Sequence, residues 1–177
     1  MGLFKFQNYS AIRNIQDNPR VEAVVETVPG NIFNIGDNVV VGARTIKEAQ
    51  VLFTDDASAQ GDVWVCMNIV DKPETRNYAD YSVLAGEYLR AVKLNNHKGE
   101  IVELSGDLVI NGGGLAPAVG VALVPTVNAN NPNLMIWKTT ANPAGYDVYL
   151  EITALTTFGL FTIDNAGVGY EAKIKSA

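Results

Sequence analysis

The last thirty residues of the alternating C-terminal segment constrain the fold more than any other part of the chain. Within 146–156, Val148, Leu150, Ile152 and Ala154 alternate with Asp147, Tyr149, Glu151 and Thr153. Within 168–175, Val168, Tyr170, Ala172 and Ile174 alternate with Gly169, Glu171, Lys173 and Lys175. A period of two turns one set of side chains to a core and the other to water, which is what a half-buried strand requires. Residues 160–163 lie between the two, joined to the last strand by Asp164-Asn165-Ala166-Gly167. Three strands linked by short turns predict an antiparallel meander.

The rest of the chain carries the same signal in shorter pieces. Residues 21–28 are rich in β-branched side chains and end at Pro29-Gly30-Asn31; 39–41 stop at Gly42. Residues 63–70 have few polar members, so this strand is expected to be buried on both faces. Segments 88–94 and 100–104 flank Asn95-Asn96-His97-Lys98-Gly99, which predicts a hairpin. Residues 108–110 run into Gly112-Gly113-Gly114, 119–124 read as a central strand, and 134–138 as another short one. One helix is expected at 45–50, where Thr45 and Glu48 have capping-box spacing ahead of Ala49 and Gln50. Part of the proline-containing stretch 71–80 is a second helical candidate. The expected fold class is all-β, mainly an antiparallel sandwich or barrel-like arrangement of roughly eight to ten strands, with at most one or two short helices. Residues 1–20 read as an N-terminal arm or irregular lead-in, and 21–177 as a single β-rich domain.

Charge and targeting signals narrow the partners. The net charge is −6, and the densest basic stretch (Arg90, Lys93, Lys98) is followed at once by Glu100 and Glu103. Such a chain repels phosphate backbones, so no nucleic-acid partner is expected. A single cysteine, Cys66, rules out an internal disulfide framework. The start Met1-Gly2-Leu3-Phe4-Lys5-Phe6 lacks a secretory apolar region, and Phe6 stands where a myristoylation pattern wants Ser or Thr. The longest apolar run, 115–125, is broken by prolines and a glycine. No membrane partner is expected, and synthesis in a cytoplasm is.

Residues that could carry chemistry are few. The one histidine, His97, reads as a solvated turn residue, and Cys66 as a small core residue without a basic neighbour. Asp56-Ala57-Ser58-Ala59-Gln60-Gly61 begins like a calcium loop, but Met67 stands where the bidentate glutamate belongs. The glycine triplet lacks the Lys-Ser/Thr of a phosphate loop and reads as flexible. Neither Glu100 with Glu103 nor Asp55 with Asp56 is brought together by any pattern. Catalytic residues, metals and cofactors are therefore all expected to be none. Trp64, Trp137, Tyr88, Tyr146 and Tyr149 are candidates for a sugar platform or a protein hot spot, with core packing the plainer role. Phe4, Phe6 and Tyr9 are the candidate partner-contact arm; docking on their own domain is the equal alternative.

One longer stretch resembles a known group. It runs from Asp62-Val63-Trp64-Val65-Cys66-Met67 through Lys72-Pro73-Glu74 and Tyr78-Ala79-Asp80-Tyr81 to Ala85-Gly86-Glu87-Tyr88-Leu89-Arg90-Ala91-Val92-Lys93-Leu94. After a turn it closes on Glu103-Leu104-Ser105-Gly106-Asp107. In this order of elements the chain resembles structural proteins of tailed-bacteriophage virions encoded with the head components. The resemblance implies a minor capsid or capsid decoration (cement) protein on the capsid surface. It implies the major capsid protein and neighbouring virion subunits as partners, and leaves a homo-oligomer open. A tail or baseplate component, or a virion-surface carbohydrate-binding module using Trp137 or Tyr146, are the alternatives.

Overall fold

The computed structural model of the chain describes residues 4–6, 20–67, 82–156 and 168–176. Fourteen strands appear among them, more and shorter than the sequence pattern predicts. In chain order they are β1 (Phe4–Phe6), β2 (Arg20–Glu22), β3 (Ile32–Gly36), β4 (Val39–Val41), β5 (Arg44–Ile46), β6 (Ala49–Val51) and β7 (Trp64–Cys66). Then come β8 (Tyr88–Lys93), β9 (Ile101–Ser105), β10 (Val109–Ile110), β11 (Ala122–Val127), β12 (Met135–Thr140), β13 (Tyr149–Thr156) and β14 (Gly169–Lys175). Helix among the described residues is confined to two 3-10 turns, Leu94–His97 and Gly106–Leu108. The chain is all-β.

Twelve of the strands form two bodies, and β4 and β5 pair as a separate two-stranded ribbon. A closed five-stranded barrel runs β2-β6-β3-β7-β8, and a seven-stranded sheet runs β1-β9-β14-β13-β11-β12-β10. They share one core because three barrel strands are buried on both faces. Phe33, Cys66, Leu89 and Ala91 fill the barrel, while Ile32, Val65 and Val92 pack with Leu104, Leu123, Trp137 and Ile174 of the sheet. This double burial explains the nearly unbroken apolar run at 63–66, as expected. The buried amide of Asn31 ties the bodies together: its Nδ2 donates to the Asn133 carbonyl (3.1 Å), and its Oδ1 accepts from the Met135 N–H (2.8 Å).

Several expectations need correction. The helix at 45–50 is absent; β5 and β6 occupy that stretch, separated by a bend at Lys47 and Glu48. Two turns of helix are marginal without packing. Here Gln50 is drawn into the barrel, where its carboxamide exchanges hydrogen bonds with the Thr27 hydroxyl (2.8 and 3.0 Å). Segments 88–94 and 100–104 do not pair as a hairpin either. β8 closes the barrel against β2, whereas β9 enters the large sheet between β1 and β14. The loop between them is the crossover from one body to the other.

The strand expected at 21–28 pairs as a strand only through Glu22. Beyond it, Ala23 turns its hydrogen bonds to Gly86 and Glu87, and Thr27 makes a single bridge to Val83. The central strand expected at 119–124 begins three residues later, after Gly120, whose φ of +87° makes the turn. Pro125 is tolerated inside β11 because β13 pairs with it only at Ala122 and Leu123. Along β13 and β14 the alternation holds for Leu150, Ile152, Tyr170, Ala172 and Ile174, which are buried, but not for Val168, which precedes β14 and is 49% exposed, nor for Gly169, which is buried. The two strands pair directly and antiparallel, with a bulge between Ile152 and Ala154, so they are not the outer strands of a meander. The strand expected at 160–163 and the helical candidate at 71–80 lie outside the described residues.

Candidate interaction surfaces and the fate of the candidate chemistry

The described residues of the candidate arm, Phe4–Phe6, are part of the chain's own sheet. β1 pairs antiparallel with β9, setting Phe4 opposite Leu104, Lys5 opposite Glu103 and Phe6 opposite Val102. Phe4 and Phe6 are buried, their rings edge to face at 5.8 Å. Of the two roles left open for them, docking on their own domain is the one observed. Tyr9 lies outside the described residues.

The seat under β1 is built from both bodies. Gly30, at φ +88°, turns the barrel chain beneath it; an added Cβ there would stand 2.8 Å from the Phe4 Cβ and 3.5 Å from a Leu108 methyl. On the other side the Phe6 ring lies 5.1 Å from the His97 ring. His97 is thus no solvated turn residue: its side chain is mostly buried, with Nδ1 3.3 Å from Glu100 Oε1. The crossover presses it under β1, which a hairpin loop would not have done.

The other polar candidates are spent on holding loops in place. Asp56 accepts from Lys138 Nζ and from the Thr126 hydroxyl (2.7 Å), tying the loop after β6 to β11 and β12. Burial pushes its carboxyl up. The hydrogen bonds from Lys138 and Thr126, with the lysine's charge, outweigh that and leave it below the usual aspartate value. The half-buried Tyr146 phenol beside it is raised, first by burial and then by the Asp56 charge. Asp55 instead accepts from the Ser58 N–H (2.7 Å), so the oxygens of this loop do not converge on one point. No group of three metal-ligating side chains is assembled among the described residues.

Since the native Asp56 carboxyl is lowered, its contribution to stability is present above the ordinary aspartate pKa of about 3.9 and is lost as pH falls through the native value. Asp56→Asn should cost under about 1 kcal/mol at neutral pH, because the pair is half exposed. In urea melts the gap from wild type should close as the pH falls below the ordinary aspartate value and through the lower native one. A gap independent of pH would mean that the ion pair is not what the substitution removes.

Cys66 fills the barrel interior, as expected. The glycine triplet is not a free loop. The Gly112 N–H donates to the Thr139 hydroxyl (2.7 Å), which donates in turn to the Leu115 carbonyl (2.6 Å). A Cβ at Gly112 would come within 2.0 Å of the Thr139 carbonyl oxygen, whereas Gly113 and Gly114 form an open tip at positive φ. Glu100 sits beside His97, and Glu103 lies in register between Lys5 and Glu171, so they form no catalytic pair.

Among the aromatic candidates, Trp137 is fully buried in β12 and cannot serve as a sugar platform in this fold. Trp64, Tyr146 and Tyr149 are half-buried; only Tyr88, 64% exposed, stands clear of the surface. Tyr88 lies opposite Glu22 on the outer face of the barrel. There the β4–β5 ribbon folds over β3 and β6. Val39 crowds Gly36, Ile46 is buried, and Arg44 reaches back to pair with the almost fully buried Glu22. The ribbon's other face presents Val40, 69% exposed, with Thr45 opposite it. Sequence reading finds the first strand of this ribbon at 39–41 but not its partner β5, because the capping-box spacing at Thr45 and Glu48 reads as a helix.

No helix of the described residues is long and apolar enough to cross a membrane. Comparison of the chain with protein families, with curated proteins and with solved structures finds no match.

Proposed function

We propose that this protein is a structural component of a virus particle, most specifically a decoration protein that binds major capsid subunits and reinforces the head. The observation that carries the reading is the order of elements between Asp62 and Asp107, with its Pro-Glu segment, its Ala-Gly turn and its Arg-containing strand. The described part of that stretch includes β7, β8 and β9, the strands that wall the barrel and cross into the large sheet. The resemblance therefore falls on the scaffold itself.

Two physical features support the reading. A cement protein needs rigidity and contact surface rather than a reaction centre, and polar side chains such as Asp56, Asn31 and Gln50 are engaged in holding the fold. The net charge of −6 favours the outside of a shell over the side facing packaged nucleic acid. Quantitative mass spectrometry of purified virions, divided into heads and tails, tests this directly. The expected result is a simple ratio of this chain to the major capsid subunit in the head fraction. A few copies, or copies confined to tails, would reject the decoration role and favour a tail or baseplate component.

A further inference from the structure

We infer that the seat of β1 is an exchange site between copies of this chain, in which the Phe4–Phe6 strand of one molecule docks on β9 of another. The inference stands on the fold alone and does not depend on the particle to which the chain belongs.

The seat is specific for this strand. It offers an unpaired strand edge once β1 leaves, because β9 is bonded on its other side to β14. It takes side chains at alternate positions, as strand addition to a sheet edge does. The first, Phe4, needs the missing Cβ of Gly30 and shares a buried cluster with Leu108; the second, Phe6, meets His97. The register also sets Lys5 opposite Glu103, which itself lies opposite Glu171.

Among the described residues three hold β1 in the sheet, and thirteen residues, 7–19, connect it to β2. Thirteen residues span at most about 45 Å. A chain of this length has a radius of gyration of about 16 Å, so the connection is long enough to reach an adjoining molecule. An exchanged strand makes the same contacts as a strand docked at home, so exchange gives up no contact energy. The balance is set by concentration. A tethered strand competes at an effective concentration on the order of 1 mM, so dilute protein keeps its own strand and closely packed copies trade.

A disulfide placed across the register tests this in the full chain. Lys5 and Glu103 are directly opposed on neighbouring antiparallel strands, a separation a disulfide can bridge. The double variant Lys5→Cys/Glu103→Cys should close the bond within one chain, verifying the register. The single variants Lys5→Cys and Glu103→Cys are then mixed and oxidised briefly. Native Cys66 is buried and does not compete. In an equal mixture only half of the exchanges bring unlike variants together, so a heterodimer linked between positions 5 and 103 should form from about 0.5% of chains at ~10 µM total protein and about a quarter at ~1 mM, a fifty-fold rise. Peptide mapping identifies the bond. Absence of the linked heterodimer at ~1 mM, with the double variant closing normally, overturns the exchange. Failure of the double variant to close overturns the seat as well.

Discussion

Trp137→Ala should lower the unfolding free energy by about 3–5 kcal/mol, the largest loss expected from a single substitution in this chain. The indole is fully buried in β12, a strand paired to β11 on one side and β10 on the other. A side chain so placed leaves a cavity that its neighbours cannot close by fraying. Trp137→Phe should cost much less, since it keeps a ring and gives up an Nε1–H that has no acceptor among the described residues. Urea denaturation with an unchanged slope reads the difference. A loss below about 1 kcal/mol for the alanine variant would contradict the packing and return this tryptophan to the surface as a candidate ligand platform.

Phe4→Ala should cost the isolated protein about 3 kcal/mol. The side chain is fully buried, and its seat joins Gly30 of the barrel to Leu108 of the sheet region. The cost has a ceiling that Trp137 lacks: a strand at the sheet edge can peel away while the rest stays folded, so no substitution in it can cost more than its docking free energy. Hydrogen exchange separates the two cases. Early loss of protection at Glu103, whose N–H faces β1 while Val102 and Leu104 face β14, with the barrel still protected would mark local undocking, and uniform loss would mark global destabilisation. An unaltered melting curve would instead mean that β1 is not docked in the isolated molecule, leaving Phe4 and Phe6 free to anchor a partner.

The two phenylalanines show how far a sequence can be read. Both were visible as exceptional, being aromatic residues in a segment with no strong pattern of its own. Nothing local distinguishes an aromatic that anchors a partner from one that fills its own core, because the deciding residues, Gly30, Val102 and Leu108, lie far away along the chain. His97 failed for the same reason: its loop has hairpin composition, and only the divergence of β8 and β9 into different bodies buries it. At 45–50 a capping-box spacing lost to the hydrogen bonds that Gln50 finds in the barrel. Local propensity worth tenths of a kcal/mol yields to tertiary contacts of that kind.

By itself the sequence determined the all-β class, the two C-terminal strands with their buried and solvent-facing sets, and the double burial around Val65 and Cys66. Those properties follow from the period of side chains along a strand, which is local. Only the tertiary structure decided which strands close the barrel, which enter the sheet, and that β1 completes an edge built by distant residues. Pairing joins segments by hydrogen bonds between backbones that are chemically alike in every strand. The choice of partner is therefore made by the packing of the whole chain and leaves little trace in any one stretch of it.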